Sequence, residues 1–209
     1  MSRVIVALIL TLAIATVAVL VRARAYTVPQ STAQTSQGST PPHPLILQEN
    51  DGEHLVRRLT GPTGGWPFTI KLDGQNGNTQ DFFVFTDTMA PGQTIPFHKH
   101  DNAEEILFVE EGGATVIVGD QRAVAGPRSI VFIPRDTWIS GTNSSNHDIH
   151  LLAIFSRHGY EQYMRALGVK QGEPMTPLSP DELTRLRALG HSMYWDTSKG
   201  PYPPGVAHP

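Results

Sequence analysis

Residues 92–112 read GQTIPFHKHDNAEEILFVEEG, and this stretch decides the fold of the chain. His98 and His100 are two residues apart, so on a β-strand both imidazoles point to the same face. A short polar turn follows, and the next strand carries Glu105 on one face, together with apolar side chains. We expect this second strand to run back beside the first. If that face is the interior, Glu105 meets the two histidines.

His98, His100 and Glu105 together form a set of metal-ligand residue types. Two neutral nitrogens and a carboxylate suit one divalent transition metal, Fe, Mn, Ni, Cu or Zn. Glu105 is also the candidate catalytic residue, because a carboxylate that leaves the metal can carry a proton. The competing interpretation is a pair of solvated surface histidines beside an acidic turn.

The spacing of these residues resembles the first motif of the cupin superfamily. That motif is Gly, five residues, His-x-His, four residues, Glu, six residues, Gly. In this sequence Gly92, His98, His100, Glu105 and Gly112 occupy all of its fixed positions. The resemblance implies a jelly-roll β-barrel, a metal near the barrel axis and frequent homodimers.

A second cupin motif is recognisable in residues 134–143 but departs from the family pattern. Pro134 and Asn143 match it, whereas Asp136 stands where the motif has glycine. Ile139 stands where the motif has the histidine that would be the fourth ligand. Three protein ligands remain, in a two-histidine, one-carboxylate pattern that leaves coordination positions open. Two interpretations stay open: a catalytic site with more open positions, or a site that binds metal weakly or not at all.

The remainder of the sequence predicts an all-β protein with short C-terminal helices. Short runs rich in β-forming residues, separated by turn residues, are typical of a sandwich or barrel. The predicted strands are 66–72, 81–86, 104–110, 114–118, 129–133 and 149–155, and the predicted helices are 160–167 and 180–189. We expect a hairpin at the glycines between the strands 104–110 and 114–118. The predicted domains are a β-barrel at 45–156 and a C-terminal helical tail with a loose end at 157–209.

The N-terminus has the pattern of an export segment. An apolar run extends over residues 4–21, and Ala23 and Ala25 have the spacing of a signal-peptidase site. The run is also long enough for a membrane anchor, so residues 1–25 are expected to be a signal peptide or an anchor. Residues 26–44 are polar and are expected to be a disordered linker. Both interpretations place the barrel in the periplasm or outside the cell, where an anchor at residues 4–21 would attach it to the inner membrane.

Composition excludes several classes of function. The chain has no cysteine, so disulfides, thiolate ligands and cysteine nucleophiles are absent. Its formal net charge is −3 and its basic residues are scattered, which argues against nucleic acid as a partner. Contact with a membrane is expected only through the N-terminal segment.

The resemblance extends over residues 45–196 and looks like a group of bacterial single-domain cupins that are quercetin dioxygenase-like in fold. Fold does not determine reaction, because cupins include enzymes, storage proteins and sensors. The leading hypothesis is an exported metalloenzyme, with an O2-dependent oxidoreductase favoured, that acts on a small organic molecule. The alternative is a non-catalytic module that binds a small molecule or a metal.

Overall fold

Alternation of apolar and polar residues gives the chain two antiparallel β-sheets. The computed structural model describes residues 41–59 and 64–208. The strands are β1 (Glu53–Arg57), β2 (Pro67–Leu72), β3 (Phe83–Met89), β4 (Thr94–His100), β5 (Glu105–Glu111), β6 (Ala114–Val118), β7 (Gln121–Ala125), β8 (Ile130–Ile133), β9 (Ile139–Thr142), β10 (Ile149–Phe155), β11 (Gly168–Lys170) and β12 (Ser192–Tyr194). One sheet has the order β11-β1-β2-β3-β10-β5-β8, and the other has the order β12-β4-β9-β6-β7. This mostly β arrangement is consistent with the predicted jelly roll.

Two α-helices lie in the C-terminal part of the chain. Helix α1 spans Tyr160–Leu167 and α2 spans Pro180–Leu189, and a 3-10 helix follows at Thr197–Lys199. Helix α2 begins with a capping box, in which the Ser179 hydroxyl accepts from the Glu182 amide at 3.3 Å and the Glu182 carboxylate accepts from the Ser179 amide at 2.9 Å. Both helices have the bounds that the sequence predicts.

The inner faces of the strands form the core. In β3 and β10 buried and half-buried residues alternate along the entire strand, as expected when one face of each strand points inward. Phe83, Phe85 and Phe155 pack against one another, with ring centroids 5.3 to 6.2 Å apart. Burial of such large aromatic surfaces is the main stabilising contribution of this core.

The two motif strands do not pair, which corrects the expectation that β5 runs beside β4. Strand β4 lies between β12 and β9, whereas β5 lies between β10 and β8 in the other sheet. Strands β5 and β6 are divided between the sheets in the same way, so the expected hairpin at Gly112 is wrong. Gly112 has a φ of 82°, and a Cβ there would overlap the Ile149 side chain. The chain therefore passes from one sheet to the other at a turn that requires glycine.

The C-terminal region is built into the sheets, although the sequence predicts only helices and a loose end there. Strand β11 pairs with β1, and β12 pairs with β4. Near the end of the chain Val206 is buried, and the Ala207 amide donates to the Gly119 carbonyl at 2.9 Å. The barrel predicted at 45–156 therefore takes one strand in each sheet from residues beyond its expected boundary.

The predicted signal or anchor segment at residues 1–25 and most of the predicted linker at 26–44 lie outside the described residues. Within the part that the structure describes, neither helix is long and apolar enough to cross a membrane. Export and anchoring therefore stay predictions from the sequence.

Candidate metal centre

The structure brings His98, His100 and Glu105 together in the interior. One nitrogen or oxygen of each residue lies within 4.8 Å of the others, and all three side chains are buried. The histidines come from β4 in one sheet and the glutamate comes from β5 in the facing sheet. The predicted surface alternative is therefore wrong, because these residues face one another across the interior.

The hydrogen bond of His98 determines which of its ring nitrogens can bind a metal. Nδ1 of His98 lies 2.9 Å from the carbonyl oxygen of Pro96. A carbonyl only accepts, so Nδ1 carries the proton and Nε2 keeps its lone pair. This is the tautomer that a metal ligand requires.

Ser192 fixes the tautomer of His100 in the same way. Its hydroxyl oxygen lies 3.0 Å from the Gly190 carbonyl and 3.1 Å from Nδ1 of His100. The hydroxyl has one proton, which it donates to the carbonyl, so it accepts from Nδ1–H of His100. Nε2 of His100 is left unprotonated and lies 3.7 Å from Oε2 of Glu105.

The surroundings and the separation of these two atoms show whether a metal ion fits between them. Nε2 of His100 and Oε2 of Glu105 are buried and have no hydrogen-bond partner among the described residues. Their separation of 3.7 Å is too long for a hydrogen bond, so a shared proton does not satisfy them. Two ligand atoms bonded to one transition metal at about 2.1 Å lie roughly 3 to 4 Å apart. The donor set and this spacing both fit a single ion.

Without a cation, burial opposes charge on every member of the cluster. Desolvation, and to a lesser extent the nearby Asp87 carboxylate, raise the pKa of Glu105 to about 8. Desolvation lowers the pKa of His98 to about 4, and also lowers that of His100. At neutral pH the cluster without metal is therefore uncharged, with a proton on Glu105.

Metal binding should consequently release a proton in a way that depends on pH. Since the pKa of Glu105 is about 8 and the histidines are already neutral, binding at pH 7 should release about one proton per ion. At pH 9.5 the carboxylate is already ionised, so Glu105 itself should release almost no proton, and any release there comes from metal-bound water. Titration calorimetry in buffers of different ionisation enthalpy measures proton release by wild type and by Glu105→Gln, and equal release per bound ion by the two proteins at pH 7 would contradict the assignment.

Ile139 faces the site at the place where the family motif has its fourth ligand. It pairs directly with His98 across β4 and β9, so the two side chains point to the same face. Ile139 is only 2% exposed and, like His98, lines the central cavity. The register that the sequence motif implies is thus the register of the structure, and the wall beside the metal ligands is apolar there.

Substitution of Ile139 tests this placement. The Ile139→His variant should complete a shell of four protein ligands, three histidine nitrogens and one glutamate oxygen. It should tighten Zn2+ binding by at least about tenfold, because zinc favours four-coordinate sites. Ile139→Phe is the matched control, since it introduces a ring without a nitrogen and should give no gain. Competition with a chelator of known affinity measures the change. An unaltered Zn2+ affinity in Ile139→His would mean that this side chain does not reach the ion.

A cavity of about 100 Å³ adjoins the cluster. His98 and Glu105 lie on its wall beside apolar side chains of both sheets, and α1, α2 and β12 contribute the remainder. The size suits several water molecules or a small organic molecule. The cavity places such a molecule directly beside the candidate ligands.

Sequence reasoning missed the cavity residues of the C-terminal region, which are Tyr160, Tyr163, Arg187 and Tyr194. Tyr160 contacts His100, with ring centroids 4.8 Å apart, and Tyr194 stacks on His98 at 5.3 Å. The spacing of Tyr160 and Tyr163 places both on one helical face, which was the available signal. No local pattern indicated that β12 pairs with β4 and thereby sets Tyr194 beside His98.

A buried ion pair forms another part of the cavity wall. Arg57 donates to both carboxylate oxygens of Asp87, at 2.6 and 2.7 Å. The guanidinium carbon lies 4.8 Å from the ring centroids of both Trp66 and Phe68. The aromatic rings and the bidentate partner hold this arginine rigidly.

The other positions of the second motif are structural. Asp136 has a φ of 57°, a left-handed conformation that explains why the family pattern has glycine there and that aspartate tolerates. Asn143 is fully buried, and its amide nitrogen donates to the carbonyls of Met89 and His147 at 2.8 and 2.9 Å. His150 bonds Thr88 instead of joining the cluster.

Comparison with known proteins gives a family for the central strands. Residues 85–155 match the family model described as Cupin domain. A predicted oxalate decarboxylase from Thermotoga maritima is similar, with 16% identity over 54% of this chain and 99% of its own, and a TM-score of 0.48. A sugar phosphate isomerase from Silicibacter pomeroyi is also similar, with 19% identity over 55% of this chain and 77% of its own, and a TM-score of 0.48. Among curated proteins, none has a matching sequence.

Proposed function

We propose that this chain, whose residues 85–155 match the Cupin domain model, is a metal-dependent enzyme that acts on a small organic molecule in its central cavity. His98, His100 and Glu105 would hold one divalent transition metal. Within this class we favour an O2-dependent oxidoreductase, because two histidines and one carboxylate leave coordination positions open.

One observation carries the proposal. Nε2 of His100 and Oε2 of Glu105 are buried, unpartnered and 3.7 Å apart. Leaving such groups without a partner costs free energy, about 1–3 kcal/mol for each. A structural role alone would be served better by apolar side chains, so the arrangement favours a bound cation.

The chain's own residues would divide the work. Pro96 and Ser192 orient the imidazoles, and the aromatic rings around His100 exclude water. Glu105 would move a proton only when its carboxylate leaves the metal. When bound, the metal would supply Lewis-acid or oxygen-activating chemistry.

Elemental analysis of the chain, purified without a metal-affinity tag, tests the metal. About one equivalent of a single transition metal is expected. With that metal loaded, oxygen uptake in the presence of small organic substrates tests the oxidoreductase assignment. A folded protein that contains no metal and cannot be reloaded would overturn both.

A non-catalytic binding module is the second candidate, and Ile139 is the observation that favours it. This residue is buried at the cavity wall where a further ligand would stand. A site with only three protein ligands can also serve to sense, store or deliver a small molecule or a metal. Ligand binding that survives chelation, without turnover, would favour the module over the enzyme.

We also propose that the protein is exported and forms a homodimer. Export rests on the sequence of residues 1–25, and the mass of the mature protein tests whether that segment is removed. Dimerisation is supported by exposed apolar residues on the edge strands β7 and β8, namely Val124, Ile130 and Phe132, which are 73%, 68% and 54% exposed. Sedimentation analysis gives the oligomeric state.

A further inference from the structure

The charged side chains that line the central cavity differ in whether they have a partner of opposite charge. Arg57 is neutralised by Asp87 through two hydrogen bonds. Glu105 is needed by the candidate metal. That leaves Arg187, on α2, which also lines the cavity.

Arg187 lacks the partners that comparable arginines have. Arg165 bonds Glu53 at 2.6 Å and also pairs with Asp73. Arg58, which is half-buried like Arg187, donates to the Thr176 carbonyl at 2.9 Å. Within the described ranges, by contrast, Arg187 forms no ion pair, and its Nε is buried without a hydrogen-bond partner.

What Arg187 does contact holds it in place beside the metal ligands. Its guanidinium carbon lies 3.9 Å from the ring centroid of Tyr194, a close cation–π contact. The same tyrosine stacks on His98 with an interplanar angle of 19°. The hydroxyl groups of Tyr194 and Tyr163 lie 3.2 Å apart and tie this side of the cavity to α1.

A fixed, half-buried guanidinium without a carboxylate is a binding group for an anion. We propose that Arg187 binds the carboxylate of the cavity's ligand, so that this ligand is a small organic acid with a second oxygen that faces the metal ligands. This inference deepens the proposed function and rests on it. The cavity volume of about 100 Å³ limits such an acid to a few non-hydrogen atoms.

Glycolate and glycolamide are a suitable pair of ligands for the test. They have the same size and the same hydroxyl, but only glycolate carries a charge. Binding of each is measured by titration to the purified chain loaded with Zn2+, which is redox-inert. The variants are Arg187→Met, which keeps the stem over Tyr194, and Arg185→Met, an exposed arginine on the same helix as the matched control.

Wild type and Arg185→Met should bind glycolate more tightly than glycolamide. This preference is the ratio of the dissociation constant of glycolamide to that of glycolate. In Arg187→Met the ratio should fall by about tenfold or more, because a charge-assisted hydrogen bond is lost, while the zinc content stays the same. Because the metal is present in every variant, its own preference for carboxylate cancels in the comparison. An unchanged preference in Arg187→Met would overturn the inference and leave the metal site standing.

The unloaded protein separates failure of the inference from failure of the proposed function. If the wild type takes up neither zinc nor any other divalent transition metal, the proposed function fails. The same comparison of glycolate with glycolamide on the unloaded variants then decides whether Arg187 recognises a carboxylate.

Discussion

Replacing His98 by alanine should remove nearly all of the bound metal while the protein stays folded. His98 would supply one of three protein ligands, and among the described residues no further histidine or carboxylate belongs to the cluster. Loss of a residue that merely orients a ligand costs about 10- to 100-fold in metal affinity, so loss of the ligand itself should exceed about 100-fold. The metal content per chain, measured by elemental analysis after dialysis, should fall from about one equivalent to less than roughly a tenth of an equivalent.

The control for this variant is His147→Ala. His147 is exposed, and among the residues that the structure describes its ring bonds only to the neighbouring Asn146, at 3.1 Å. It should keep the metal content of the wild type. Circular dichroism verifies that His98→Ala retains its β structure. Full metal loading in a folded His98→Ala protein would place the metal elsewhere.

Replacing Asp87 by alanine should lower the free energy of unfolding by about 3–5 kcal/mol. The substitution strands Arg57 as an unpaired charge, since this side chain is 8% exposed and lies over Trp66 and Phe68. A loss of that size is a large share of the 5–15 kcal/mol that stabilises a typical domain. Urea denaturation measures it, and Asp87→Asn is the milder variant if the alanine protein does not fold.

Two further variants test whether the loss of stability comes from leaving a buried charge without its partner. Asp101→Ala removes an exposed pair with His191, whose side chains are 66% and 52% exposed, and should cost less than about 1 kcal/mol. The double variant Arg57→Met with Asp87→Leu leaves no buried charge and should be more stable than Asp87→Ala alone. If Asp87→Ala lost no more stability than Asp101→Ala, the buried ion pair would not have the role that its geometry indicates.

Local patterns were sufficient to predict which three residues the structure brings together as a candidate ligand set, and most of the elements. His98 and His100 share a face because the side-chain period of a strand is two, and Glu105 follows on a strand with its own inward face. The start of α2 follows from the capping box at Ser179, whose hydrogen bonds lie within one helical turn, and its end follows from Gly190. Such features depend on residues a few positions apart, so the sequence displays them directly.

Two wrong predictions of strand pairing have one physical origin. The sequence predicts that β5 pairs with β4 and forms a hairpin with β6, yet β5 lies in one sheet whereas β4 and β6 lie in the other. A short turn between two strands is compatible with pairing and with crossing to the other layer. The choice depends on which distant strands cover the hydrogen-bonding edges, here β10 and β8 for β5.

By itself, then, the sequence determined the candidate metal cluster. It consists of two histidines and a glutamate, with an isoleucine in the place of a fourth ligand, all within motifs whose spacing is local. Tertiary structure alone decided what surrounds them. Ser192 lies beside His100, and Tyr194 beside His98, because β12 pairs with β4 across about ninety residues of chain. Arg187 reaches the same cavity from α2. Contacts of this kind arise from burial of the faces of separate elements against one another, and no periodicity along the chain encodes that packing.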